Sequence, residues 1–149
     1  MNLPLKNLMK SDWKTETHLV LDACALIAYL NDEPGADVVA AIFEHVSSVE
    51  MSAVNLLEIA YDTIRRSGDP QAGRELLDVV RQLPIKIHWQ IDDEVFQNAA
   101  RLKASFRISL ADAFALALAQ TLNAAVATSD HHEFDVLESS GTARFLWIR

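Results

Sequence analysis

Four acidic residues, Asp22, Glu58, Asp112 and Asp130, stand at corresponding places along the chain: just after an apolar strand-like run, or in the opening turns of an apolar helix. Carboxylates dispersed in sequence but gathered at one edge of a sheet form a magnesium or manganese site, because these hard cations take oxygen donors and keep waters that bridge to phosphate. Two carboxylates ~5 Å apart repel by roughly 3 kcal/mol at an effective dielectric of 20. Four of them would shift toward protonation unless cations were bound. Such ions activate a water and stabilise a leaving oxygen, which is the chemistry of phosphodiester hydrolysis. Taken singly, each acid has an ordinary structural explanation. Asp22 suits the N-cap of the helix after it, and Asp130 suits a turn. Glu58 suits a solvated helix face, although its neighbours are apolar and its i+4 companion Asp62 carries the same charge. Asp112 completes a capping box that opens at Ser109. Their joint mapping to one edge of one sheet is what argues for a metal-dependent nuclease site.

Periodicity gives the elements that must position these acids. Leu19–Leu21 is a short apolar run ended by Asp22; residues 23–32 have helical spacing and break at Glu33–Pro34–Gly35; residues 36–46 read as a second helix. Residues 49–53 read as a buried strand, 54–68 as a helix closed by Gly68, and 71–83 as a helix opened by Asp69–Pro70 and stopped by Pro84. Residues 85–89 alternate as a half-buried strand should, and 91–106 have helical spacing with Asp92 as cap. Ser109 opens the longest apolar helix, 110–123. A strand over 125–128 follows, then an irregular acidic stretch and a closing strand over 143–148. Strands alternating with helices imply an α/β domain whose parallel sheet is covered on both faces, with ligands bound at the strand C-terminal edge. The first 17 residues look like an appended arm, a kind of segment often poorly ordered.

The chain has 149 residues, half of them hydrophobic, the size of one domain with a substantial core. No apolar run approaches the ~20 residues that cross a bilayer, and the N-terminal lysines are not followed by the apolar stretch of a secretory signal. A lone cysteine, Cys24, excludes an internal disulfide and fits a reducing cytoplasm. The net charge of −8 argues against nucleic acid at first sight, but two divalent ions would offset half of it. The local field also counts for more than the total. Basic residues cluster at Arg65, Arg66, Arg74 and Arg81 and again at Arg101, Lys103 and Arg107, a pattern whose ordinary reading is a solvated helix face.

The segments LVLDACALIAYLNDEPGA, MSAVNLLEIAY, ISLADAFALALAQTLNAAVATSD and the HEF after them resemble, in order, the PIN-domain family, and specifically its VapC-type toxin ribonucleases. The resemblance covers most of Leu19–Phe134 and is most specific around Asp112 and Asp130. It implies a PIN-like three-layer fold over residues 18–149, with a four- to five-stranded parallel sheet and helices on both faces. It further implies magnesium or manganese held by Asp22, Glu58, Asp112 and Asp130, an RNA substrate cut by metal-activated water, frequent homodimers, and a cognate antitoxin that covers the acidic pocket. Thr128 matches a hydroxyl residue before the last acid and would orient it or a water; Asn55 would do similar supporting work, or simply start its helix. Many relatives carry Ser or Thr where this chain has Cys24. A thiol is a poorer partner for a hard cation, so Cys24 is read as packing.

His131, His132 and Glu133 suggest zinc, but adjacent histidines in a loop rarely both reach one tetrahedral ion, and a turn is the preferred reading. Trp89 and Trp147 lie on expected strands and read as core or edge packing. A haloacid dehalogenase-type phosphatase needs an acid where Cys24 stands. A receiver domain needs a lysine after a late strand, a place Lys86 does not fill. Flap-type DNA nucleases need more chain. The remaining alternative is a non-catalytic PIN-like binding or assembly module, which would have no reason to keep four mutually repelling carboxylates. The expectation is a metal-dependent endoribonuclease, the toxin of a type II toxin–antitoxin pair, cytoplasmic and without a membrane association.

Overall fold

The structure, a computed structural model, describes residues 15–149. The arm expected over residues 1–17 lies for the most part outside the described residues. Five parallel strands form one sheet: β1 (His18–Leu21), β2 (Ser48–Ser52), β3 (Ile85–His88), β4 (Ala125–Thr128) and β5 (Phe145–Trp147), in the order β3-β2-β1-β4-β5. Helices α1 (Ala23–Leu30) and α2 (Ala36–His45) connect β1 to β2, and α3 (Ala53–Ser67) and α4 (Gln71–Val80) connect β2 to β3. Helices α5 (Asp93–Ser105) and α6 (Leu110–Leu122) carry the chain back across the sheet to β4, and α7 (His131–Ser139) leads to β5. The sheet therefore grows from β1 in one direction and, after β3, from the other side of β1. Connections on either side of that reversal cover opposite faces, so the crevice outside the C-terminal ends of β1 and β4 is a topological switch point.

Alternation along each strand divides the core in two. Leu19, Leu21, Met51 and Ala127 pack under α1–α4, whereas Val20 and Val126 pack under α5–α7. Helix α6 is apolar on nearly every side because it is buried on nearly every side, from Ala113 through Ala119. At the start of α2, Gly35 has φ 98°, and a Cβ there would stand 2.9 Å from the carbonyl oxygen of Ile148. Both the left-handed backbone and the close approach require glycine.

The structure corrects the sequence expectations at two places along the chain. The stretch after Asp130 is the helix α7, and His131 and His132 form its first turn instead of a loop. Its apolar side is only Phe134 and Leu137, too short a stripe to register among five charged or histidine neighbours. Strand β3 ends at His88, and Trp89 beyond it is 61% exposed, not packed. Trp147 does pack, its ring stacked with His131 at 3.9 Å and with Phe145 at 5.3 Å.

Strand β2 hides a charge. Glu50 is 1% exposed, and its carboxylate is shared by His18 Nδ1 at 2.9 Å and His88 Nε2 at 3.1 Å, from the two flanking strands. A buried acid stripped of its partners is costly, while removing acid and partners together is close to neutral. Replacing both His18 and His88 by Leu should therefore cost about 3 kcal/mol of stability. Adding Glu50→Met to that double variant should restore most of it. Urea unfolding of the set measures this, and a triple variant no more stable than the double would refute it.

Candidate functional site

The site builds outward from Asp22. Leu21 ends β1 fully buried, and the chain turns at once into α1, so the carboxylate of Asp22 is fixed at the sheet edge as the N-cap of α1. Its Oδ1 accepts from Ala23 N at 2.7 Å and lies 3.5 Å from Asn55 Nδ2. Its Oδ2 accepts from Thr128 Oγ1 at 2.9 Å and from the Cys24 thiol at 3.2 Å. The capping and site readings of Asp22 are thus compatible: one oxygen serves the cap while both remain at the edge.

Thr128, the last residue of β4, is wholly buried and also accepts from Asp130 N at 3.0 Å, which ties the first and last acids together through one hydroxyl. Asp130 in turn caps α7, accepting from Glu133 N at 3.2 Å. Asn55 is fully buried and donates to the Ala111 carbonyl at 3.2 Å, beside Asp112. It does not start its helix, since Ser52 caps α3. The Oδ1 atom of Asn55 has no hydrogen-bond partner. Asp112 forms the expected capping box with Ser109, accepting from Ser109 N at 3.2 Å through Oδ2.

Asp22, Glu58, Asp112 and Asp130 line one depression of about 330 Å³, together with Cys24, Tyr61, Asp62 and Arg65. Asp22 and Asp112 are buried, Asp130 is half-buried, and Glu58 is exposed at the rim. Burial, then the Asp112 charge, pushes the Asp22 carboxyl up to about 6 against the hydrogen bonds that favour its anion. Asp112 is raised by burial and further by Asp130 and Glu133, while its bonds to Ser109 oppose the shift. Glu58 is raised by lost hydration first and then by Asp112, Asp62 and Asp130. Burial, then Asp22, raises the Cys24 thiol to about 11, so it stays neutral and donates. It does more than pack: Ser129 N donates to its sulfur at 3.3 Å, bracing the loop after β4.

All four expected acids thus reach one depression, with Asn55 and Thr128 against Asp22. Among the described residues, no group of three or more His, Cys, Asp or Glu side chains is gathered tightly enough to grip an ion. Sequence reasoning missed Tyr61 and the place of Arg65. Their signal was the helical spacing 58, 61, 65, which puts them on the face of Glu58.

The family model of the PIN domain matches residues 19–138. Among solved structures, the chain is similar to VapBC2 from Rickettsia felis bound to a DNA fragment from its promoter, with 15% identity and a TM-score of 0.66 over 87% of this chain and 97% of that one. A toxin–antitoxin complex from Klebsiella pneumoniae matches with 16% identity and a TM-score of 0.64 over 88% of this chain and 98% of that one. VapC20 of Mycobacterium tuberculosis, a sarcin–ricin loop-cleaving toxin, matches with 14% identity and a TM-score of 0.55 over 71% of this chain and 84% of that one. At these identities the likeness is one of fold. Among curated proteins none matches the sequence.

Proposed function

The chain belongs to the PIN-domain family, and on that premise we propose that it is a metal-dependent endoribonuclease, the toxin of a type II toxin–antitoxin pair. The observation that carries this is the convergence of Asp22, Glu58, Asp112 and Asp130, from four separate segments, on one depression at the topological switch point. The donor set fits magnesium or manganese: Asp22, Glu58, Asp112 and Asp130 offer carboxylate oxygens, the hard donors these cations take. The loose spacing also suits magnesium, which binds through one or two carboxylates and keeps several waters. When bound, the ion supplies an activated water for in-line attack and stabilises charge on the phosphate.

The chain's own residues do the positioning. Asp22, Glu58, Asp112 and Asp130 would hold the ion, one or two of them directly and the others through its waters; Thr128 and Asn55 fix the Asp22 carboxylate; Thr128 sets the backbone of Asp130. An acidic depression also invites a basic side chain from an inhibiting partner, which is the role proposed for the antitoxin. A complex in which the depression is left empty would refute that part. The exposed Leu57, Trp89 and Ile91 rim an apolar groove of about 380 Å³, which supports a protein-binding face and the proposed homodimer. Among the described residues no helix is long and apolar enough to cross a membrane; a cytoplasmic location belongs to the same proposal.

Cleavage of a mixed RNA pool by purified, partner-free protein tests the reading. Cuts are expected with magnesium or manganese and none with EDTA. A well-folded protein that binds neither metal would instead be a non-catalytic PIN-like module.

A further inference from the structure

Helix α3 continues past Glu58 with residues that the acidic site does not use. Positions 58, 61, 62 and 65 fall on one face of the helix, and Tyr61 and Arg65 line the same depression as the acids. Arg65 lies seven positions after Glu58, about 10 Å along the helix axis. The depression therefore has a direction, acidic at one end and basic at the other. Tyr61 is 57% exposed, and the Arg65 side chain is 63% exposed, so neither contributes to the core. An exposed Arg–Asp pair adds little stability either.

Both side chains are nonetheless held in place. The Arg65 guanidinium carbon sits 5.6 Å from the Tyr61 ring centroid, and its Nη2 donates to Asp62 Oδ1 at 2.6 Å. The other Asp62 oxygen takes Arg66 Nε at 2.7 Å. One carboxylate thus steadies two guanidinium groups but neutralises only one charge. A guanidinium has five N–H donors, and Arg65 commits one of them to Asp62. The rest are available to a phosphate, whose geometry the planar fork matches.

We propose that Tyr61 and Arg65 form a binding subsite for a nucleotide next to the scissile phosphate of a single-stranded RNA, its base stacked on Tyr61 and its phosphate on Arg65. The inference rests on the ribonuclease reading above. Aromatic stacking joined to a cation on the backbone is how single strands are held without sequence readout. In a duplex the bases stack on each other and cannot reach such a ring, so the subsite selects loops and unpaired segments. It also answers an electrostatic difficulty. Four carboxylates repel an approaching phosphate, and a permanent cation at the rim of the same depression draws the strand across it.

The test uses the full chain carrying Asp112→Asn to suppress cleavage, with magnesium present. Fluorescence anisotropy reads the binding of a short labelled single-stranded RNA of mixed sequence, and of its duplex, over a range of salt. Tyr61→Ala and Arg65→Gln are each expected to weaken single-strand binding roughly ten-fold. Arg65→Gln should also make the salt slope shallower by about 0.7, the share of one phosphate contact, whereas Tyr61→Ala should leave the slope unchanged. Tyr61→Phe should bind like the parent, and Arg65→Lys should recover the slope. Duplex binding should not respond to Tyr61→Ala. If the parent binds RNA and both Tyr61→Ala and Arg65→Gln match it in affinity and slope, the subsite is refuted while the ribonuclease reading stands. If the parent binds no RNA at any salt, the subsite is refuted, and cleavage of the RNA pool by the unsubstituted protein decides the ribonuclease reading separately.

Discussion

Asp112→Asn should reduce RNA cleavage roughly a thousand-fold, or about 4 kcal/mol of transition-state stabilisation, while leaving the fold intact. Asn is the informative replacement because Asp112 carries two roles. It caps α6 by accepting from Ser109 N, and its own N–H donates to Ser109 Oγ at 3.1 Å. An Asn carbonyl keeps the acceptor and the backbone keeps the donor, so the capping box survives. The lost charge at a helix N-terminus costs about 0.3–1 kcal/mol. Relief from burying the charge, and then from Asp130 and Glu133, which oppose ionisation of Asp112, works the other way. The terms oppose each other, and in EDTA the melting temperature should not fall. Asp112→Ala would remove the box acceptor and confuse a lost cap with a lost ligand. Single-turnover cleavage at saturating magnesium, paired with a thermal melt, measures both quantities. A variant that cuts RNA like the parent would show that Asp112 is only a cap.

Much of this site is legible in the sequence because its acids are attached to strong local signals. Asp22 terminates a run with no polar residue, Asp112 sits in a recognisable capping box, and Asp130 follows a buried strand. Right-handed crossovers then place strand ends on a common edge without knowledge of any contact. What is not legible is what depends on contacts between distant elements. Glu50 looks like an interruption in a buried strand. Its explanation is His18 and His88, 32 and 38 residues away on the two neighbouring strands. Asn55 looks like a helix-start residue until its amide is found on the Ala111 carbonyl. Cys24 looks like filler because a thiol is a poor ligand for a hard ion. Its observed use is as a donor to Asp22 and an acceptor from Ser129 N, neither of which needs a metal. Helix α7 is hidden for a different reason: two buried apolar residues suffice to hold it once Asp130 caps it, and two are too few to establish a period.

Asp22 should make the metal-free protein less stable than it would be without the charge. Its carboxyl titrates at about 6 in the fold against 3.8 for the ordinary group, chiefly because of burial and then because of Asp112. Between those values the folded chain holds a proton that the unfolded chain has lost, so stability falls as pH rises through the window and levels off above it. The full penalty at neutral pH is roughly 3 kcal/mol. Asp22→Asn removes the charge but turns one acceptor into a donor opposite Thr128 Oγ1, which offsets part of the gain. In EDTA at neutral pH the variant should therefore be about 1–2 kcal/mol more stable than the parent. At about pH 5 the difference should shrink, because the parent then carries the proton itself. Magnesium should reverse the ranking, since an ion bound only to the folded parent stabilises it by mass action and the variant has lost one of the proposed ligands. That stabilisation should in turn weaken below about pH 6, where protons compete for Asp22. Thermal melts of both proteins at the two pH values, with magnesium and with EDTA, read every term. Equal stability in EDTA at neutral pH would refute the buried-charge penalty, and equal stabilisation by magnesium would remove Asp22 from the metal site. The outcome expected instead is a chain that tolerates four repelling carboxylates at a cost to its own stability, a cost offset when the ion arrives.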